Sequence, residues 1–391
     1  MALRNPSRIL ALFSGLLGIG GLQQAGRLTA AALSQIAANR GWETNFLSLN
    51  DPPDSQTLPW NGTQIRFRGF GRAKMRFAGA VMAAAWRPTQ ITIAAHPNLS
   101  LVAAQTKLLR PRLKSAVISH GVEVWQPLPR LRRKAFLAAD LFLAPSTYTL
   151  DQLVRVQGAP SAKTRLVPWP LSPDFSEMAA EPETLPVPSG FPKGLVVMAA
   201  ARLAADERYK GVDLLIQAVA QLLPKVPSLY LVVVGTGDDL PRHQEMARRF
   251  GVSERVRFFQ GLSSSEIAGC YSRCDIFALP STGEGFGFVF LEAMAFGKPV
   301  VGAAAGGVTD IVQHGRNGLL VPPNDQERLT ESLERLLTNG GLRFELGRKG
   351  IEIVRSQFRF DSFRSRIENL LLDYGSDPRG PVGQASGTLP R

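Results

Sequence analysis

Cysteine is scarce in this 391-residue chain, which carries only Cys270 and Cys274, and a disulfide-stapled framework is thereby excluded. The pair sits four apart in a predicted helix, without histidines or further cysteines at metal-ligand spacing. A metal cage is therefore excluded too. What remains is two reduced, partly buried thiols of a cytoplasmic protein. Long hydrophobic runs are also missing. The longest candidate, Ile9 to Leu22, contains four glycines and one serine and is too short to span a bilayer. Basic residues ahead of it imitate a signal peptide, but the stretch reads as a buried strand, Arg8 to Phe13, a glycine-rich turn and a helix from about Leu22. No short-period repeat is visible, which sets aside solenoids.

Hydrophobic residues make up 45% and charged residues 20%, the balance of a globular protein. The length calls for two domains. Apolar β-branched runs alternate with amphipathic helical stretches: RILALFS, ITIAAH, SAVISHG, LFLAPS and TRLVPWP, then GLVVMAAARL, LYLVVVGTG, RVRFFQG, DIFALPS and KPVVGAAAGG. Many end in a Gly, Ser or Pro turn before a helix, the pattern of parallel βα units with ligand loops at strand ends. The proline- and glutamate-rich stretch 176–194 interrupts the series and reads as a linker or domain boundary. The expected fold is α/β, two Rossmann-like domains facing each other across a cleft. Their expected limits are 1–180 and 181–356, followed by a helix at 357–374 and a tail at 375–391 too poor in apolar residues to fold.

The net charge of +13 is unevenly placed. Residues 1–200 carry 22 Lys and Arg against 10 Asp and Glu, whereas residues 201–391 carry 23 against 22. Clusters at Arg66, Arg68, Arg72, Lys74 and Arg76, at Lys107, Arg110, Arg112 and Lys114, and at Arg130, Arg132, Arg133 and Lys134 would attract phosphates, on nucleic acid or on anionic lipid. A nucleic-acid protein is disfavoured, because no recognition motif accompanies the charge and the excess stops at the domain boundary. A nicotinamide oxidoreductase is set aside as well. GLLGIGGLQQAG approximates the glycine fingerprint, but no acidic residue ends the next strand at the distance a ribose needs.

The chemistry-bearing stretch is STGEGFGFVFLEAMAFGKPVV, residues 281–301. Glu284 falls in the loop after the strand DIFALPS, and Glu292 falls inside the helix that follows. Gly285 and Gly287 let backbone approach a ligand, and a free helix N-terminus favours anions. A carboxylate there can accept from sugar hydroxyls. The alternatives are an ordinary helix-start acid and a surface glutamate. Arg202, after a buried strand, and Lys210, before a helix, could bracket a diphosphate. Gly306 and Gly307 offer N–H groups at another strand end.

The run from Cys274 to Asp325 closely resembles the donor-binding domain of retaining glycosyltransferases of the family-four type, which have the GT-B fold. Glu284 and Glu292 match its glutamate–seven–glutamate motif. The resemblance is strong from about Gly194 to Asn324. In the first half, Gly18 to Leu22 is similar to the family's glycine loop and Ser119-His120-Gly121 to its cleft histidine motif. It implies that Arg202 and Lys210 hold the donor diphosphate and that Glu284, with backbone N–H groups of Gly285, Phe286 and Gly287, binds the donor sugar. It further implies Glu292 on the ribose, Gly20 and Gly21 facing the diphosphate or sugar, His120 near the sugar and Gly261 and Leu262 near the base. The departures are Ala201 for a common glycine, Thr309-Asp310 for Pro-Glu, and an Arg202-to-Lys210 loop longer than usual, which puts the reach of Lys210 in question.

The implied activity is transfer of a hexosyl-type sugar from a nucleotide sugar, UDP- or GDP-linked, to a glycan or lipid-linked acceptor. No cofactor is implied, and without an Asp-x-Asp motif no metal is indicated; Arg202, Lys210 and the helix N-terminus would stabilise the leaving diphosphate. The competing reading from another class is a non-catalytic nucleotide-sugar or glycan-binding protein on the same scaffold. The segment RFRGFGRAKMRFAGAVMAAAW, ending at Trp86, reads as an interfacial element. The expectation is thus a cytoplasmic enzyme in peripheral contact with the inner face of the membrane.

Overall fold

A computed structural model describes residues 7–60 and 62–375. The predicted tail beyond Gly375 lies outside the described residues. The chain divides into two compact units: residues up to Pro170 together with those from Phe360 onward, and Leu171–Arg359.

The first unit is built on eight strands: β1 Arg8–Phe13, β2 Glu43–Ser48, β3 Asp54–Trp60, β4 Thr63–Gly69, β5 Ile91–Ala94, β6 Lys114–Ile118, β7 Leu141–Ala144 and β8 Thr164–Leu166. They lie in the order β3-β4-β2-β1-β5-β6-β7-β8, parallel except for the antiparallel β3–β4 pair. β1 is buried on both faces because its alternate side chains feed two cores. Leu10 and Leu12 meet the side lined by Phe77, Val81, Leu99 and Phe136. On another side, the helices Gly21–Arg40 and Phe360–Gly375 pack together, tied by Arg40 to Glu368 (2.5 Å) and by Arg364 to Gln35 (3.0 Å). Phe363 seats the last helix, with its ring 5.4 Å from that of Trp169.

Hydropathy alone missed β2, β3 and β4. Correcting the continuous interfacial element, Arg66 and Arg68 belong to strand β4, where they alternate with buried Ile65 and Phe67. Only Lys74–Trp86 is helical. Edge strand β3 carries Pro59, which an interior strand would not tolerate.

The second unit has six parallel strands: β9 Leu195–Ala200, β10 Leu229–Val234, β11 Val256–Phe259, β12 Ile276–Leu279, β13 Val300–Ala303 and β14 Gly318–Val321. Their order is β11-β10-β9-β12-β13-β14. Counted from its own first strand, this is the 3-2-1-4-5-6 order of dinucleotide-binding sheets, whose direction reverses between β9 and β12. Ligands of such sheets bind beyond the strand C-termini at that reversal. The stretch read as a linker is packed instead. Its residues form the helix Pro173–Met178 and a turn at Pro182–Thr184, and the Pro186 carbonyl comes so close to Gly269 that a Cβ there would lie 1.9 Å from it. The boundary between units accordingly falls at Pro170, before this stretch and not at 180.

Phe363 is 2% exposed. Phe363→Ala is expected to destabilise the first unit by about 3–5 kcal/mol, the usual penalty for emptying an aromatic core position. All five tryptophans lie in that unit, so urea unfolding followed by tryptophan fluorescence reads the loss directly.

Candidate functional site

In the second unit β9 and β12 are hydrogen-bonded neighbours, with Val197 opposite Ile276 and Met198 opposite Phe277. Their loops therefore leave the sheet side by side. After β9 the chain passes Arg202 and winds through tight 3-10 turns at Ala205–Lys210, ending at Gly211 in the left-handed region. This winding absorbs the extra loop length. Lys210 Nζ stands 2.6 Å from Glu284 Oε1, so its reach to this edge is not in doubt. Residues of this winding are held by contacts of their own. Glu207 pairs with the Arg202 guanidinium. Arg208 bonds Asp239 at 3.2 Å. The Tyr209 ring lies 5.3 Å from Lys210 Nζ, and its carbonyl accepts from the Thr282 N–H at 2.9 Å.

Electrostatics follow from that pairing. Burial works against the charge on Lys210, but Glu284 beside it outweighs burial and holds the ammonium above its ordinary range. The hydrogen bond that Arg202 donates to Glu207 does the same for its guanidinium. Arg242 grips both Asp213 (2.8 Å) and Asp239 (2.6 Å). Burial opposes ionisation of Asp213, yet hydrogen bonds from His243 and Arg242 bring its carboxyl down to about 2. Both candidate phosphate-binding cations thus carry an internal counter-ion, which a bound anion must share or displace.

Beyond Glu284 the backbone is shaped by two glycines. Gly287 has φ 104° and caps the helix Phe288–Ala295 without a side-chain hydrogen bond. A Cβ there would meet the Phe290 ring at 2.8 Å. Gly307 donates to the Glu284 carbonyl at 2.8 Å, and a Cβ on it would come within 2.3 Å of the Gly285 carbonyl. Phe286 is buried with its ring on Phe288 and Phe358, so it can offer a ligand only its backbone. Inside the helix Glu292 is buried and is no surface glutamate. Its Oε2 accepts from the Tyr271 hydroxyl at 3.0 Å. Tyr271 is enclosed by Phe175, Phe277 and Phe296, and burial, then Glu292, push its hydroxyl well above the ordinary range. Gly261, at φ 66°, and Leu262 follow β11, two strands from β9.

The remaining candidates belong to the first unit. Gly20 precedes the helix Gly21–Arg40 with φ 139°, and both glycines are exposed. The loop leading to them is held by Asp51, which accepts from the N–H groups of Leu16 (2.7 Å) and Leu17 (3.1 Å). Arg27 donates to the carbonyls of Leu16 and Gly18. His120 follows β6, with its ring between those of His96 and Trp169, each 5.7 Å away. Its Nε2 lies 2.7 Å from the Ala95 carbonyl. A carbonyl only accepts, so Nε2 carries the proton and Nδ1 of the neutral ring presents a lone pair. His96 Nδ1 accepts from the Asn98 N–H at 3.0 Å.

Arg202, Lys210, Glu284 and the 285–287 backbone are therefore brought to one edge of one sheet, with Glu292 supporting it from the helix behind. Gly20, Gly21 and His120 are parts of a different unit. Among the described residues no group of three or more His, Cys, Asp or Glu is placed to hold a metal. Cys270 and Cys274 are free and buried, and burial pushes both thiols up to about 12. Sequence reasoning missed Glu207, Tyr209, Tyr271, His96 and Asp51. The departure in loop length was the one available signal, pointing to Glu207 and Tyr209; the others touch their partners only through the fold.

Residues 191–353 match the family described as Glycosyl transferases group 1. A GDP-mannose-dependent alpha-(1-6)-phosphatidylinositol monomannoside mannosyltransferase of Mycobacterium tuberculosis is 30% identical over 287 residues, covering 69% of this chain and 74% of that protein. A D-inositol 3-phosphate glycosyltransferase of Kribbella flavida is 31% identical over 281 residues, covering 68% and 65%. Among solved structures, HepE of Anabaena in complex with UDP superposes with a TM-score of 0.73 at 19% identity, covering 94% of this chain and 100% of that one. Sucrose-phosphate synthase from Thermosynechococcus elongatus gives 0.74 at 22% identity, covering 95% and 99%. The α/β, GT-B fold class is as expected.

Burial, then the neighbouring His120, lower the pKa of His96 to about 4. As pH falls below the ordinary value near 6.5, the unfolded chain takes up this proton before the folded one does, so stability drops between pH 6.5 and 4. The expected loss from this residue is about 2 kcal/mol between pH 7.5 and 5. Tryptophan-monitored urea unfolding at those two pH values should show this part of the loss in the wild type and not in His96→Gln.

Proposed function

The chain belongs to the glycosyl transferases group 1 family, and from that premise we propose that it moves a hexosyl-type sugar from a nucleoside diphosphate onto a glycan or lipid-linked acceptor, with retention of anomeric configuration. The observation that carries this reading is the edge of the second unit where Arg202, Lys210 and Glu284 converge on an uncapped helix N-terminus. Breaking a glycosyl–phosphate bond leaves negative charge on the departing diphosphate. Preorganised cations and helical N–H groups stabilise that charge more than they stabilise the ground state. Arg202 can take a phosphate through its planar fork, and Lys210 acts as a point charge.

Glu284, once its ammonium partner turns to phosphate, is free to accept from sugar hydroxyls. Glu292, oriented by Tyr271, is the carboxylate for the ribose. Gly261 and Leu262 are read as backbone contacts of the base, and Gly20 and Gly21 as N–H groups for the anionic part of the donor. His120, with its Nδ1 lone pair, is read as a contact for a sugar hydroxyl. The chain supplies its own cations, so transfer is expected to need no metal and to persist in EDTA. Mycobacterial relatives named for GDP-mannose make a GDP-sugar the first donor to test and a UDP-sugar the second. Relatives named for inositol phosphate and phosphatidylinositol acceptors agree with a basic first unit that meets an anionic acceptor. The finer part of the reading is peripheral work at the inner face of a membrane. No helix among the described residues is long and apolar enough to cross one.

Thermal-shift titration against GDP-, UDP-, ADP- and dTDP-sugars tests the donor. A sugar nucleotide at about 100 times its dissociation constant adds roughly 2.7 kcal/mol of stability. One nucleotide is expected to shift the wild type strongly and Glu292→Ala little; no shift with any of the four would overturn the reading. Nuclear magnetic resonance of the first-formed product reports the anomeric configuration, and inversion would refute retention.

A further inference from the structure

We propose that the outer face of the helices Lys74–Trp86 and Ser100–Leu109 in the first unit is a docking surface for an anionic lipid bilayer. The proposal deepens the reading of a membrane-borne acceptor by naming the surface, and it rests on that reading only for its purpose. The two helices pack against each other. Their inward residues, Phe77, Val81, Ala85 and Ala103 among them, belong to the core. Apart from the flanking cations and Gln105, their outward residues are apolar as well. Met75, Gly79, Ala83 and Trp86 are exposed at spacings of four, four and three, and Leu101, Gln105 and Leu108 at four and three. Each set is a single stripe along a helix. Met75 is 85% exposed, Trp86 74% and Leu108 80%. A single exposed apolar side chain is ordinary, but apolar residues lined up on two helices that pack together make a patch, and an exposed patch of this kind marks an interaction site.

Charge selects the occupant. From residue 55 through residue 122 the chain has no acidic residue and ten basic ones. Among the described ion pairs only Lys107 of these ten is tied to a carboxylate, Asp140 at 2.7 Å. Lys74 and Arg76 sit at the start of the first stripe, Arg87 at its end, and Arg110 and Arg112 at the end of the second. Arg110 donates to the Arg87 carbonyl at 2.7 Å, which joins the two ends. An apolar stripe with cations at its ends and a tryptophan at one of them suits the headgroup boundary of a bilayer, where rings and methylenes bury and Lys and Arg reach phosphates. A second copy of this chain is a poor occupant, because it would bring the exposed Lys74, Arg76, Arg87 and Arg112 of one copy against the same cations of the other. Protein interfaces also deplete lysine at their core, whereas a bilayer accepts it. The first helix spans about 20 Å, so its whole stripe can lie in the membrane plane.

The test is co-sedimentation of the full chain with vesicles of phosphatidylcholine, with and without about one-third phosphatidylglycerol. The wild type is expected to pellet with the anionic vesicles and not with the neutral ones. The triple variant Met75→Ser, Trp86→Ser, Leu108→Ser should lose about tenfold in partitioning, and the variant Lys74→Glu, Arg76→Glu, Arg87→Glu should lose at least as much. Both are expected to keep the wild-type thermal shift with the donor nucleotide, which shows that they fold and separates this proposal from the donor reading. Equal pelleting with neutral and anionic vesicles, or wild-type pelleting by the triple serine variant, would overturn it. So would a wild-type dimer in solution that the serine variant abolishes.

Discussion

A parallel strand cannot be followed by its neighbour through a tight turn; it needs a crossover, and every crossover in a twisted sheet starts from the same edge. The second unit is governed by this constraint. β9 starts its sheet and β12 returns beside it on the other side, so the two loops that leave their C-termini have no helix between them. Arg202 and Lys210 arrive on one loop and Glu284 on the other. Their meeting needs no special segment, only the order of the strands.

The constraint has an electrostatic consequence. Lys210 is largely buried and needs counter-charge, and the more exposed Arg202 is paired as well. Glu284 supplies it for Lys210 and Glu207 for Arg202. The edge is therefore neutral internally and preorganised at once, because side chains held by hydrogen bonds have already lost the rotamer freedom that a ligand would otherwise have to remove. The Arg208–Asp239–Arg242–Asp213 network anchors the loop from behind, and the buried Tyr271 does the same for Glu292. A few charged side chains reach this edge, and several others hold them in place.

The first unit uses the same strand logic for a different charge balance. Its glycine loop is pinned by Asp51 on its N–H side and Arg27 on its carbonyl side, and His120 is fixed in one tautomer by the Ala95 carbonyl. Around this framework the surface is basic and, along two helices, apolar. The two units thus differ in charge: the edge of one is internally compensated, and the surface of the other keeps a basic excess.

Much of this was legible in the residues themselves. Runs such as LYLVVV and IFAL are buried on both faces and can only be interior parallel strands, and glycines such as Gly287 mark places where a Cβ has no room. Period and composition pointed to two α/β units, and residue type and spacing singled out Arg202, Lys210, Glu284 and Glu292 as candidates. Local pattern failed where local pattern is ambiguous. Strand β4 alternates arginines with Ile65 and Phe67, which by pattern alone merges with the apolar helix after it into one interfacial element, and the proline-rich stretch after Met178 has the composition of a linker or domain boundary although it packs near Gly269. Only the tertiary structure decided that Glu207 faces Arg202, that Tyr271 holds Glu292, and that His96 and Trp169 flank His120. Each of these is a contact between side chains whose neighbours along the chain carry no trace of it. A sequence fixes the periodicity of each segment, but which segments lie together depends on how all of them bury their apolar faces at once.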